Sequence, residues 1–134
     1  MPRLITLALA LSLPLLTQAA SLKEHELSRL LEQVARDSSV GTPRAINADI
    51  LDQGYSVDGN QLVNHLSVRP QHAAQMRANP DLVRSQLSRS VCGNSGFRQL
   101  LARGALLRYE FSEYRSNRPV TSERFSLQDC TGPD

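Results

Sequence analysis

The order of patterns along the chain predicts an α+β protein, with an antiparallel sheet of about four strands and helices packed mainly on one face. A helical pattern comes first, a hairpin pattern second, further helical patterns third and a second hairpin pattern last. The hairpin strands alternate apolar and polar residues, which indicates one covered and one wet sheet face. About 114 residues remain after the N-terminal segment, which suits one domain.

The N-terminal segment has the pattern of a secretory signal peptide over residues 1–20. Arg3 provides the positive start, and the apolar run that follows is shorter than the roughly 20 residues that a helix needs to cross a bilayer. Small residues favour cleavage after Ala19, and cleavage after Ala20 is the alternative. We therefore expect export and a single domain over residues 21–134. No second apolar run follows, so we expect no stable membrane insertion.

The segment from Ser21 to Asp37 predicts an amphipathic helix. Ser21 can cap its first turn, with Glu24 as the capping-box partner. We interpret its apolar face as part of the core, and a partner-binding helix is the alternative. The apolar residues at helical spacing are Leu22, Leu27, Leu30, Leu31 and Val34.

Residues 44–69 predict a long hairpin. Apolar residues alternate over 46–50 and again, in the other phase, after Gly54, which indicates a bulge or bend near this glycine. The Asp-Gly-Asn sequence at 58–60 is typical of a turn, and residues 62–68 alternate as the return strand.

Three helices are predicted between the hairpins. The first covers residues 71–78, and the second restarts at Asn79, which can cap a helix whose first residue is a proline. Cys92 closes that helix. A short helix then starts at Asn94 or Ser95 and ends at Arg103, before a glycine.

Residues 105–115 and 120–127 predict the second hairpin, with an inward-facing Leu127 near its end. Its outward charged residues can form cross-strand pairs on a solvated surface. Alternatively, they belong to a polar binding surface together with arginines of the short helix. The candidate binding-surface residues are Arg98, Arg103, Arg108, Glu110 and Arg124.

The chain has two cysteines, Cys92 and Cys130. In an exported chain, this predicts one disulfide bond that joins the end of the middle helix to the end of the last strand. Two free thiols or a bond between two chains are the alternatives.

Charge and spacing argue against several functional classes. The chain has 15 Lys and Arg against 13 Asp and Glu, with no basic run, so we expect no nucleic-acid partner. His65 and His72 lack a third ligand at metal-site spacing, and we expect neither a metal nor a cofactor. The Gly-Asn-Ser-Gly sequence at 93–96 follows a helix and has its second glycine one residue too early for a serine-hydrolase elbow. We therefore expect a protein that is not an enzyme and has no catalytic residues.

Five features of the C-terminal third belong together: Cys92 at a helix end, Phe-Arg-Gln-Leu-Leu at 97–101, Gly104, Leu-Arg-Tyr-Glu-Phe at 107–111 and Asp-Cys at 129–130. In these residues the chain resembles the quorum-sensing-regulated virulence factors, short exported proteins of pseudomonads and related bacteria. The resemblance implies a secreted or periplasmic α/β protein whose expression is linked to cell-density signalling and virulence. It implies no catalytic residues.

These observations lead to two functional hypotheses. In the first, the protein is secreted through the periplasm and binds a protein partner of a host or of the bacterial envelope. In the second, it stays in the periplasm as a binding or chaperone-like module that assists secretion. A hydrolase is a more distant third. The sequence does not define the oligomeric state.

Overall fold

The computed structural model describes residues 13–131, with side chains from residue 21 onwards. The strands of this part form one five-stranded sheet in the order β1-β2-β3-β4-β5. The predicted α+β class is confirmed, with five strands rather than about four. The elements are α1 (Leu13–Ser38), β1 (Arg44–Ala45), β2 (Ile50–Asp58), β3 (Gln61–Val68), α2 (Pro70–Ala78), α3 (Pro80–Cys92), α4 (Ser95–Ala102), β4 (Leu106–Glu113), β5 (Pro119–Phe125) and a 3-10 helix (Leu127–Cys130).

Both predicted hairpins are present, but the two hairpins join through a pair of parallel strands, β3 and β4. β2 pairs antiparallel with β3, and β4 pairs antiparallel with β5. β3 and β4 pair in parallel, with Leu62 beside Leu107 and Leu66 beside Phe111. Three helices connect these two strands, and such a long crossover returns the chain to the same end of the sheet, which a tight turn cannot do.

The first hairpin is shorter than predicted at its start. Residues 46–49 form a turn between β1 and β2, because Asn47 Oδ1 accepts hydrogen bonds from the backbone N–H groups of Asp49 and Ile50 at 2.8 and 3.0 Å. The predicted irregularity near Gly54 is present, since the β2–β3 register shifts between Asp52 and Gly54. The buried Asp52 carboxylate stabilises it by accepting the Gly54 N–H at 2.9 Å.

Gly54 also sets the distance between the bulge and the end of α1. It has a φ of +106°, and a Cβ here would lie 3.1 Å from both Ser39 Oγ and Thr42 Oγ1. Ser39 Oγ uses this space to accept the Tyr55 N–H at 2.8 Å. The end of α1 is thereby fixed to the outer edge of β2.

The first helix extends further towards the N-terminus than predicted. α1 runs without interruption from Leu13 through Ser21 to Ser38, so Ser21 lies inside the helix and does not cap it. Leu and Ala dominate residues 13–20, and both favour helical backbone. Residues 1–12 of the predicted signal peptide lie outside the described part of the chain. Within residues 13–131, no helix is both long and apolar enough to cross a membrane.

All four described helices pack against one face of the sheet. Their buried side chains and the apolar side chains of that sheet face form one continuous core. No described helix covers the opposite face, which is largely polar and has Val63 buried beneath its polar side chains. The core includes Leu27, Leu31, Ala35, Met76, Val91, Leu100 and Leu101 from helices, and Leu62, Leu66, Val68, Leu107, Phe111 and Phe125 from strands.

The C-terminal strand ends two residues earlier than predicted. β5 stops at Phe125, and Leu127 begins a 3-10 helix in which it is exposed rather than inward. The Asp129 carboxylate accepts hydrogen bonds from the Ser126 N–H at 2.7 Å and from its hydroxyl at 3.3 Å. This capping arrangement turns the chain away from the sheet.

Candidate functional site

A groove with apolar walls lies between α1 and α4. Its cavity measures about 400 Å³. The Leu30 and Val34 side chains of α1 form one wall, and Phe97 of α4 forms the other. All three are only partly buried although they pack against the core. We call this the α1–α4 groove, lined by Leu30, Val34, Asn94, Gly96, Phe97, Gln99, Leu100 and Arg103.

The α1–α4 groove continues towards the β2–β3 turn. A second cavity of about 540 Å³ lies there, and Arg103 lines both cavities. Lys23, Glu24 and Ser28 of α1 form the polar rim of this second part. Arg103 therefore lies between the α1–α4 groove and this neighbouring cavity, whose rim carries charged and polar side chains.

Local capping positions the α4 wall. Asn94 Oδ1 accepts the Phe97 N–H at 3.0 Å, which fixes the first turn of α4. A Cβ on Gly96 would approach that oxygen at 3.3 Å, so glycine leaves the cap undisturbed. The predicted cap at Asn94 is thus present, and it holds the Phe97 ring at the groove.

The predicted cysteine pair is joined in the structure. Cys92 and Cys130 form a disulfide bond with a Cα–Cα distance of 5.3 Å. The bond connects the last residue of α3 to the C-terminal 3-10 helix. Arg98 lies close by, with its Nη1 donating to the Cys92 carbonyl at 3.5 Å.

The predicted binding-surface residues occupy two places in the structure. Arg98 lies on α4 and Arg103 directly follows it, on the helical side of the sheet. Arg108, Glu110 and Arg124 lie on the polar sheet face. The five side chains therefore do not form one continuous surface.

The central charged side chains on the polar sheet face contact one another. Arg108 Nη1 contacts Asp58 Oδ2 at 3.2 Å and Gln61 Oε1 at 3.1 Å. Arg108 Nε faces Glu110 Oε1 at 2.9 Å, although without a well-aligned hydrogen bond. Ser122 donates to the same Glu110 oxygen at 2.7 Å. The cross-strand neighbour of Arg108 is Arg124, a like charge, and that of Glu110 is Ser122, so the predicted charge pairs do not form between directly opposite residues of β4 and β5.

Arg84 of α3 connects three elements of the structure, a role that the sequence patterns did not predict. Its guanidinium contacts the Glu123 carboxylate at 2.8 Å and Asp129 at 3.3 Å. It also lies over the Phe125 ring, 4.6 Å from the centroid. These contacts join α3, β5 and the 3-10 helix, and nothing in the spacing around Arg84 distinguishes it from an exposed helical arginine.

A row of polar side chains crosses the covered sheet face. Tyr55, Asn64 and Tyr109 are register partners on β2, β3 and β4. Burial, and secondarily the nearby Tyr55, raises the pKa of Tyr109 to about 12. Burial, followed by the Asp52 charge, also raises the pKa of Tyr55, while Arg44 acts in the opposite direction.

We expect the protein to lose stability between pH 10 and pH 12 through Tyr109. In this window the unfolded chain ionises its tyrosine while the folded protein keeps the proton, so unfolding becomes more favourable as the pH rises. A pKa increase from 10.0 to about 12 corresponds to a loss of about 3 kcal/mol across the window. Urea unfolding of the native protein and of Tyr109→Phe at pH 8, 10 and 11 measures the part of this loss that occurs up to pH 11, which is about half of it.

Tyr114→Phe is the control for the alkaline experiment, because Tyr114 is exposed. It should retain the native pH dependence, whereas Tyr109→Phe should have a flatter one. Equal pH dependence in all three proteins would contradict the assignment to Tyr109.

Glu113 is the last residue of β4, and its carboxylate is buried. Arg77 of α2 contacts it at 2.7 Å, and Arg118 lies 3.9 Å away. The hydrogen bond from Arg77 is the main cause that lowers the pKa of Glu113. Its contribution to stability is therefore present above the unfolded-state pKa and is lost as the pH falls through the folded-state value.

The structure is that of a small α+β protein with one internal disulfide bond. Its helices lie on one face of a single sheet, and two of them form a groove. The chain belongs to the family described as "Putative quorum-sensing-regulated virulence factor", whose sequence pattern matches residues 20–131. This confirms the resemblance seen in the sequence. No functionally curated protein shows significant sequence similarity to the chain.

Solved structures share this fold. A crystal structure of a "putative secreted protein" of Pseudomonas aeruginosa is 68% identical, covers 81% of this chain and 96% of its own, and has a TM-score of 0.80. The type 2 secretion system pilotin EpsS of Vibrio vulnificus is 18% identical, with coverage of 84% and 99% and a TM-score of 0.72. The pilotin AspS of Vibrio cholerae is 17% identical, with coverage of 84% and 99% and a TM-score of 0.68.

Proposed function

We propose that this protein is exported, is not an enzyme and acts by binding a protein partner in the α1–α4 groove. The observation that carries this proposal is the open groove itself. Leu30, Val34 and Phe97 pack against the core cluster, yet each presents part of its surface to the groove. An apolar side chain that enters would bury surface on both walls, at roughly 25 cal/mol per Å².

The charges around the groove favour a partner with a carboxylate. Arg103 lines both the α1–α4 groove and the neighbouring cavity, and it makes no ion pair with any described side chain. An acidic group of a partner could meet this guanidinium while an apolar neighbour occupies the space beside Phe97. Such a pairing would set the orientation of the partner more than its affinity.

The polar sheet face is a weaker candidate for the same role. Its most central cation, Arg108, already contacts Asp58, Gln61 and Glu110. A partner would have to replace these contacts. The α1–α4 groove requires no such exchange, because its cation and its apolar walls are both accessible.

A second candidate function is assistance to protein secretion from within the periplasm. Two structures with the same fold are pilotins of type 2 secretion systems, and each is covered almost completely by this chain. In this form of the proposal, the partner is a component of the bacterial envelope. The groove and its chemistry are the same in both candidates.

Site-specific photocrosslinking in producing cells tests the groove. A photoreactive residue at Gln99, which lines the groove, should give a defined crosslinked protein. The same residue at Gln86, exposed on α3, is the matched control and should give none. Equal crosslinking at both positions, or none at Gln99, would contradict binding in the groove.

Cell fractionation separates the two candidates. Processed protein in the culture supernatant favours a secreted factor with an external partner. Retention in the periplasm, together with a Gln99 crosslink to an envelope protein, favours the secretion-assisting module. The mass of the recovered protein also tests the predicted cleavage after Ala19 or Ala20.

A further inference from the structure

A second surface lies at one end of the sheet and has a different composition from the α1–α4 groove. By register, the start of β2, the ends of β3 and β4 and the start of β5 all meet at this end. Three segments surround it: residues 45–49 from the end of β1 to the start of β2, residues 69–72 with the first turn of α2, and residues 114–118 between β4 and β5. We call these three segments the basic end.

The basic end contains a cleft between its loops. One cavity of about 290 Å³ lies against the 45–49 turn, and another of about 650 Å³ lies against the start of α2. Arg69 and Tyr114 line both, so the two cavities are adjacent. Arg115 lines the outer part, and its guanidinium lies 5.6 Å from the Tyr114 ring centroid.

The cleft has an excess of positive charge that the protein does not neutralise. Neither Arg69 nor Arg115 makes an ion pair with a described side chain. Arg118 adds a largely exposed guanidinium, 3.9 Å from a buried carboxylate. The exposed acidic group at this end is Asp49, which lies 3.9 Å from His72. The cations therefore remain available to an external anion.

Two apolar side chains project from loops at the basic end. Ile46 is 55% exposed on the 45–49 turn, and Tyr114 is 44% exposed on the β4–β5 turn. Arg115 and Asn117 have φ values of 76° and 59°, the left-handed region that non-glycine residues rarely adopt. Tyr114 thus stands on a tightly turned loop next to Arg115, and Ile46 stands on the turn before β2.

We propose that the basic end docks the protein onto the surface of an anionic phospholipid bilayer. The arginines contact lipid phosphates, while Ile46 and the Tyr114 ring enter the interfacial layer. A tyrosine at a loop tip suits this layer because its ring is apolar and its hydroxyl stays hydrated. The two exposed side chains stand on separate loops beside the arginines. Apolar side chains next to cations match an anionic bilayer, whose phosphates lie directly beside its apolar interior.

Tryptophan fluorescence with vesicles tests this proposal. The chain has no Trp, so Tyr114→Trp places a single reporter at the basic end, and Leu22→Trp places one on exposed α1 as the control. Processed protein recovered from producing cells is mixed with phosphatidylglycerol or phosphatidylcholine vesicles. We expect a blue shift for Tyr114→Trp with phosphatidylglycerol, a much smaller one with phosphatidylcholine, and none for Leu22→Trp.

Charge variants provide the second measurement, by vesicle sedimentation. Each interfacial arginine contributes about a 5-fold increase in binding, so Arg69→Gln with Arg115→Gln should weaken binding to phosphatidylglycerol about 25-fold. Arg29→Gln with Arg89→Gln removes the same charge from exposed positions on α1 and α3, and it should change binding far less. Ile46→Ser should weaken binding without changing its salt dependence.

Several outcomes would overturn the proposal. Equal binding to both vesicle types, or equal losses in the two double-arginine variants, would exclude a specific anionic-lipid surface at the basic end. Retention on immobilised polyglutamate without binding to vesicles would assign the surface to an acidic protein instead. The photocrosslinking at Gln99 is independent of these measurements, so either proposal can fail alone.

Discussion

Reduction of the Cys92–Cys130 bond should lower the melting temperature by more than about 10 °C. The bond closes a loop with a sequence separation of 38, for which chain entropy predicts about 3–4 kcal/mol of stabilisation. A total stability of about 5–10 kcal/mol is typical of a domain of this size, so this is a large share. The bond also holds the 3-10 helix whose Asp129 contacts Arg84 of α3. Calorimetry with and without reductant measures the shift.

The double variant Cys92→Ser, Cys130→Ser is the control for the disulfide prediction. It should unfold at the temperature of the reduced native protein, and reductant should not affect it. A shift of only a degree or two on reduction would show that Arg84 and the packing of Phe125 hold the C-terminal segment without the covalent bond.

Features determined by nearby residues were predictable from the sequence. The Asp-Gly-Asn turn at 58–60, the bulge at Gly54 and the cap at Asn94 each depend on residues only a few positions apart. The disulfide followed from the number of cysteines and the expected compartment. In each case a local pattern admits few alternatives.

Features determined by tertiary packing were not predictable. The parallel pairing of β3 with β4 depends on where three intervening helices place the chain, and no pattern within either strand specifies it. The groove is a similar case. Leu30 and Val34 occupy the same helical stripe as Leu31, and only the position of α4 leaves the first two partly uncovered.

The candidate binding surfaces show the same limit for charged residues. Arg108 and Arg69 look equally exposed in the sequence, yet Arg108 contacts Asp58 and Glu110 while Arg69 lies in an open cleft without an ion pair among the described residues. Arginines on a polar strand face are easily recognised. Whether each has a partner depends on side chains about 50 residues away in sequence, as Arg108 and Asp58 show.

The second large effect is expected for Leu31→Ala, which should lower the free energy of unfolding by about 2–5 kcal/mol. Leu31 is 0% exposed and lies where α1 packs on β2 and β3. Truncation removes its buried methyl groups and leaves a cavity that neighbouring side chains fill only in part. Chemical denaturation measures the change. Because Leu31 adjoins the Leu30 and Val34 wall, we also expect weaker crosslinking from Gln99.

Leu22→Ala is the matched control, because it makes the same substitution in the same helix at a side chain that is 61% exposed. It should change stability by less than about 0.5 kcal/mol, since surface substitutions away from packed contacts rarely do more. Equal effects of the two substitutions would mean that α1 is not held by its core-facing residues. A loss in Leu31→Ala alone would show that the helix forming one wall of the α1–α4 groove is part of the cooperative core, and that the groove is a fixed feature of the folded protein.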